Sequence, residues 1–142
     1  MKEFLYSFLS VGLGCGVCSN YISVRQVDGR SMEPFLYDRE WVLIKKFNFH
    51  PIRKNELVVF SHPEEKKLAV KLAGGFEGDL FAKRVSNEQV RVGKGHFWAQ
   101  SANSRLFKDS FYYGPVPLGL IIGKPIAVLS FSNFQIRPVK LS

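Results

Sequence analysis

Short apolar runs, each stopped by glycine, proline or a polar cluster, recur along most of this chain and leave little room for long helices. Residues 41–44, 57–60, 68–73, 96–99, 118–123 and 126–131 are rich in β-branched and aromatic side chains and read as strands. Residues 80–85 and 89–92 read as a hairpin around Ser86-Asn87. Between them lie polar connections: 48–55, a charged turn at 61–67, and a long polar-aromatic loop at 100–113. Gly114-Pro115-Val116-Pro117 makes a rigid turn, and the tail to Ser142 reads as exposed. A chain of 142 residues with 46 % hydrophobic and 23 % charged residues builds one folded, mainly β domain and at most an appendage.

The appendage is at the start. Residues 4–24 carry no charge, between Lys2-Glu3 and Arg25. A helix of about 21 residues spans about 31 Å, the thickness of a bilayer core. Glycines and serines dilute the run, but Gly12, Gly14 and Gly16 suit a helix contact in a membrane. We therefore expect an N-terminal membrane anchor over 4–24 and a domain over 25–142. A cleaved export signal fits less well, because no small-x-small cleavage site follows. Cys15 and Cys18 fall inside this run, and no second Cys/His pair completes a tetrahedral metal site, so no metal is expected. The net charge is +8, but the basic residues are scattered without a block of five or more, which argues against nucleic acid as a partner.

One stretch carries chemistry. In Gly29-Arg30-Ser31-Met32-Glu33-Pro34 a serine sits between a glycine turn and a proline. The three histidines (His50, His62, His96) do not suggest a triad: His62 reads as a surface turn residue and His96 as structural. A lysine base is the alternative. Within 68–73, alternation puts Lys71 on the face of Ala69 and Ala73, backed by Leu68, Val70 and Leu72. There it is either an edge lysine reaching water or a buried one, and burial would lower its pKa and let it take a serine proton. Lys83, in Lys83-Arg84-Val85, is a rival base but reads as part of an exposed basic hairpin.

Together these pieces resemble the type I signal peptidase family, and within it the mitochondrial inner-membrane peptidase subunits. Gly29 to Pro34 matches the nucleophile motif G-x-S-M-x-P, and Arg53-Lys-Asn-Glu-Leu-Val-Val-Phe60 approximates R-G-D-[IL]-V. Lys71-Leu-Ala-Gly-Gly-Phe-Glu-Gly-Asp79 has the spacing of the general-base motif, whereas Lys83 has no Gly-Asp at the right distance. Gly95-His-Phe-Trp98 and Asp109-Ser110 followed by Gly114-Pro-Val-Pro-Leu-Gly-Leu-Ile121 resemble the later motifs. The Glu-Gly-Asp turn and the lack of arginine after Asp109-Ser110 favour subunit 2, while Leu120-Ile-Ile-Gly-Lys124 leans to subunit 1.

The resemblance implies a coiled antiparallel β-sheet catalytic domain and a serine endopeptidase with Ser31 as nucleophile and Lys71 as base. It implies an oxyanion site at the Ser31 backbone, with Gly29 standing where some relatives place a second donor. Met32, Pro34, Asp109 and Ser110 would support the site. No cofactor is implied. Substrates would be presequence-bearing proteins bound as an added strand, and the partners a sister subunit and inner-membrane lipid. The location would be the mitochondrial inner membrane, with the catalytic domain facing the intermembrane space.

Three positions depart from the pattern. Leu72 replaces arginine, Ser101-Ala102-Asn103 replaces G-D-N, and Phe107 stands where a serine usually orients the lysine. The alternative they open is a weakly active or non-catalytic partner subunit.

Overall fold

The computed structural model describes residues 21–46, 51–65, 67–103, 108–130 and 135–139. The strands are β1 Ile22–Gln26, β2 Trp41–Lys46, β3 Leu57–Ser61, β4 Leu68–Gly75, β5 Leu80–Ala82, β6 Gln89–Arg91, β7 His96–Gln100, β8 Val116–Pro117, β9 Ile121–Ser130 and β10 Gln135–Pro138. One helical turn, α1 Ser110–Tyr113, precedes β8. The main sheet is antiparallel, in the order β1-β2-β9-β3-β4-β7-β8, with β10 also on β9. The expected hairpin is present as β5–β6, a separate two-stranded sheet whose strands are shorter than the apolar runs.

The sheet buries both faces, and β3 shows why. Leu57 and Val59 enter one core with Met32, Leu36, Val42, Ile44 and Val128. Val58 and Phe60 enter a second with Ala73, Phe97, Ala99 and Val116. A strand covered on both sides has no polar alternation to show, hence the continuous run Leu-Val-Val-Phe.

Several expectations are corrected. Residues 22–24 belong to β1, paired with Leu43 to Lys45, so the uncharged run does not end as a helix. The rest of the anchor, 4–20 with Cys15 and Cys18, lies outside the described residues apart from Tyr21, as does His50. Among the described residues no helix is long and apolar enough to cross a membrane. Residues 118–123 and 126–131 are not two closing strands: 118–120 form a 3-10 turn, and β9 runs unbroken through Pro125. A bulge opposite Leu43 and Ile44 absorbs this proline, which cannot donate to a ladder. Gly123 lies so close to the Lys45 carbonyl that no Cβ fits. The tail is exposed at 135–138 as read, but it also pairs there as β10, and Arg137 donates to both carboxylate oxygens of Glu40 at 2.8 and 2.7 Å. His62 is 7 % exposed rather than a surface residue. Its Nδ1 accepts the N–H groups of Glu64 and Glu65, closing the 62–67 turn.

Candidate active site

The turn carrying Ser31 is anchored by apolar side chains. Met32 and Leu36 are 2 % and 0 % exposed, and the N–H groups of Phe35 and Leu36 both donate to the Met32 carbonyl. Gly29 takes φ +94°, a conformation that favours glycine. Its N–H donates to Asp38 Oδ1 at 2.8 Å, so it is already committed and offers no donor to an oxyanion. Among the described residues, no acceptor takes the N–H of Ser31. Pro34 is exposed.

Lys71 arrives on β4 opposite Val58, on the face of Ala69 and Ala73, and is 6 % exposed. Burial pushes its ammonium down from 10.5 to about 8, and Asp109 and Glu65 only partly oppose this. Its Nζ donates to Ser101 Oγ at 3.0 Å. The register explains the meeting. Leu72 pairs with Gln100 and Ala73 with Ala99, so one further step sets Lys71 across from Ser101. Ser101 itself is 1 % exposed.

Asp109 and Ser110 finish the outer edge of β7. Ser110 Oγ accepts the Ala99 N–H at 2.8 Å, and Asp109 Oδ2 accepts the Ser101 N–H at 3.1 Å. Asp109 Oδ1 takes the Phe111 N–H and so caps α1. These two buried side chains satisfy backbone donors that a neighbouring strand would otherwise take. The segment 100–113, read as a loop, thus contains a capped helical turn folded against the sheet.

Ser31 and Lys71 line the same groove, of about 340 Å³. One wall is residues 25–29, the end of β1 and the turn after it, with β1 the terminal strand of the main sheet among the described residues. The other is residues 67–71, where β4 pairs with β3 on one side but has not yet met β7 on the other. Met32, Val42, Ile44, Val59 and Val70 make it apolar, while Arg25, Asp28, Glu65, Lys67 and Lys108 charge its surroundings. Lys83 does not line it; its Cε lies alongside Gly114. The Arg84 guanidinium sits 4.9 Å from the Phe111 ring centre. Among the described residues, no cluster of three potential metal ligands occurs.

A buried lysine with a lowered pKa that lines one groove with a serine, in an antiparallel β scaffold, is an arrangement suited to serine-lysine hydrolysis. The chain belongs to the signal peptidase family, peptidase S26, whose model matches residues 1–92, and it is a serine endopeptidase. Subunit 2 of the mitochondrial inner membrane protease of Saccharomyces cerevisiae is 29 % identical over 123 residues, covering 78 % of this chain and 70 % of that protein. Subunit 1 from Mus musculus is 29 % identical over 144 residues, covering 94 % and 87 %. Subunit 1 from Schizosaccharomyces pombe is 35 % identical over 111 residues, covering 73 % and 71 %. The two subunit types are matched about equally well, so these identities do not separate subunit 2 from subunit 1.

In the sequence Ser101 stands out only as a departure from G-D-N. The available signal was weak: alternation along 97–101 puts Ser101 on the face of Phe97 and Ala99. Phe107 lies outside the described residues.

Proposed function

We propose that Ser31 is the nucleophile and Lys71 the general base of a peptidase that removes presequences at the mitochondrial inner membrane. The observation that carries this reading is the groove they share, in which Lys71 is buried with its pKa near 8. The neutral amine takes the Ser31 hydroxyl proton as Oγ attacks the scissile carbonyl carbon. The resulting oxyanion has the Ser31 N–H as donor. Collapse breaks the C–N bond, and the lysine proton passes to the leaving amine. Water, deprotonated by the same amine, then releases the acyl group. Ser101 is a poor nucleophile candidate because at 1 % exposure it meets no substrate.

An extended peptide suits a groove walled by two unpaired strand edges, adding its own backbone to them. The uncharged run ahead of β1 serves as anchor, and the domain faces the intermembrane space beside a sister subunit. Among the two subunit types, the Glu77-Gly78-Asp79 turn and Phe111 after Asp109-Ser110 support the subunit 2 type.

The test is cleavage of a presequence-bearing precursor by Ser31→Ala, Lys71→Ala and Lys83→Ala variants. The first two should lose roughly a thousandfold or more, and Lys83→Ala should stay near normal. Unchanged processing by Ser31→Ala would sink the proposal, and loss in Lys83→Ala alone would reassign the base.

A further inference from the structure

The nucleophile and the base sit on separate elements, Ser31 on the turn after β1 and Lys71 on β4, 40 positions apart in sequence. One short segment touches both. At one end, Ser101 Oγ accepts from Lys71 Nζ at 3.0 Å. At the other, two residues on, the Asn103 N–H donates to the Ser31 carbonyl at 3.0 Å, and Asn103 Nδ2 lies 3.4 Å from the Arg30 carbonyl. The segment is itself held: Asp109, 0 % exposed, takes the Ser101 N–H at 3.1 Å.

We propose that Ser101-Ala102-Asn103 is a two-ended clamp that sets the distance and orientation between Ser31 and Lys71, with Ser101 and Asn103 as positioning residues. This rests on Ser31 and Lys71 being the reacting pair. A lysine side chain has several rotatable bonds, and burial among methyl groups does not select one rotamer. A single hydroxyl on the facing strand does. It can accept from the amine in either protonation state, leaving the nitrogen lone pair of the neutral form for the serine proton. Asn103 supplies the complementary constraint, tying the nucleophile turn to the end of the strand that carries that hydroxyl. A common carrier for both ends matters because misplacement by about 1 Å costs on the order of a hundredfold in rate.

The clamp predicts a loss in kcat rather than KM, because neither residue lines the groove. The decisive comparison is Ser101→Thr against Ser101→Val in the full-length protein, assayed on a fluorogenic peptide spanning a presequence cleavage site. The two substitutions add nearly the same bulk and differ in the hydroxyl. Thr should retain a kcat at least about tenfold above Val, with KM values within about twofold of each other. Ser101→Ala, which removes atoms and adds none, guards against a folding failure of both. It should lower kcat by about tenfold to a hundredfold and move the pKa of the rising limb of the rate profile, with its melting temperature measured alongside. Asn103→Ala should lower kcat as well. The Ser101→Ala/Asn103→Ala double variant should lose less than the product of the single losses, because both ends set one geometry. Equal kcat for Thr and Val, or a wild-type kcat and pH profile for Ser101→Ala, would overturn the role of the hydroxyl. Strictly multiplicative losses would overturn the clamp. Ser31→Ala and Lys71→Ala run beside them: if either stays active, the reading of the pair has failed, whereas if both are dead and Thr equals Val, only the clamp has.

Discussion

Lys71 is the proposed base, and its environment makes a signed prediction. Desolvation holds its pKa near 8, below the ordinary 10.5, so the neutral form gains within the fold. Activity should rise with pH and level off above about 8. Stability follows the same proton. Between pH 8 and 10.5 the unfolded chain binds more protons than the folded one, so stability rises with pH across that window. Below it, the fold bears the full cost of burying a charge. Lys71→Met should therefore be more stable than wild type at pH 7, by up to about 3 kcal/mol. The advantage should shrink as the pH rises from 8 to 10.5. Denaturant melts at pH 7 and pH 10.5 check this, and an equal difference at the two values would show that Lys71 is not desolvated.

At the scale of elements, the site depends on strand ends. Asp109 accepts two backbone N–H groups with two carboxylate oxygens. Asp109→Asn keeps the shape but points an amide donor at one of those N–H groups, so a buried donor loses its partner. We expect a loss of about 1–3 kcal/mol and a fall in activity, since the N–H left loose is either that of Ser101 or that of Phe111. Circular dichroism melts and the cleavage assay read these separately. Gly123 tests β9 in the same way. A Cβ there would run into the Lys45 carbonyl on β2, so Gly123→Ala should cost at least about 2 kcal/mol. Ala at Gly119, where a Cβ meets nothing, is the matched control and should change little.

Most individual strands were legible, because a run such as Leu57–Phe60 or the alternation around Lys71 is local. The runs at 118–123 and 126–131 were divided wrongly for a reason that is not local. Lys124-Pro125 looks like a break, and only the bulge against β2 shows how β9 accommodates it. The loop reading of 100–113 missed α1 because its cap, Asp109, acts on donors supplied by β7 as much as on its own helix.

Across the whole molecule, among the described residues, β1 ends the main sheet and β4 has no far-side partner over 68–71, and residues 25–29 and 67–71 line the groove that Ser31 also lines. If substrate adds as a strand, backbone N–H groups of the peptide matter as much as its side chains. Peptides N-methylated at alternate residues that pair with these edges should raise KM by about tenfold per lost hydrogen bond, within the usual range for a neutral bond. The same methylation at residues facing away should be silent. Equal effects at both sets of positions would rule out strand addition.

The amino-acid sequence by itself determined the β character of the domain and, through its resemblance to the signal peptidases, pointed to Ser31 and to Lys71 over Lys83. Each signal is written in contiguous residues, as apolar runs or as motif spacing. What only the tertiary structure decided is the company these residues keep. The partner of Lys71 is Ser101, from a strand 30 residues away, because the β4–β7 register brings the two face to face. Its pKa near 8 comes from burial of the amine in the folded sheet. Ser101-Ala102-Asn103 looked like an erosion of the site when read as letters. In the fold it is the segment that reaches both Ser31 and Lys71, since hydrogen bonds depend on distance in space and not on order along the chain.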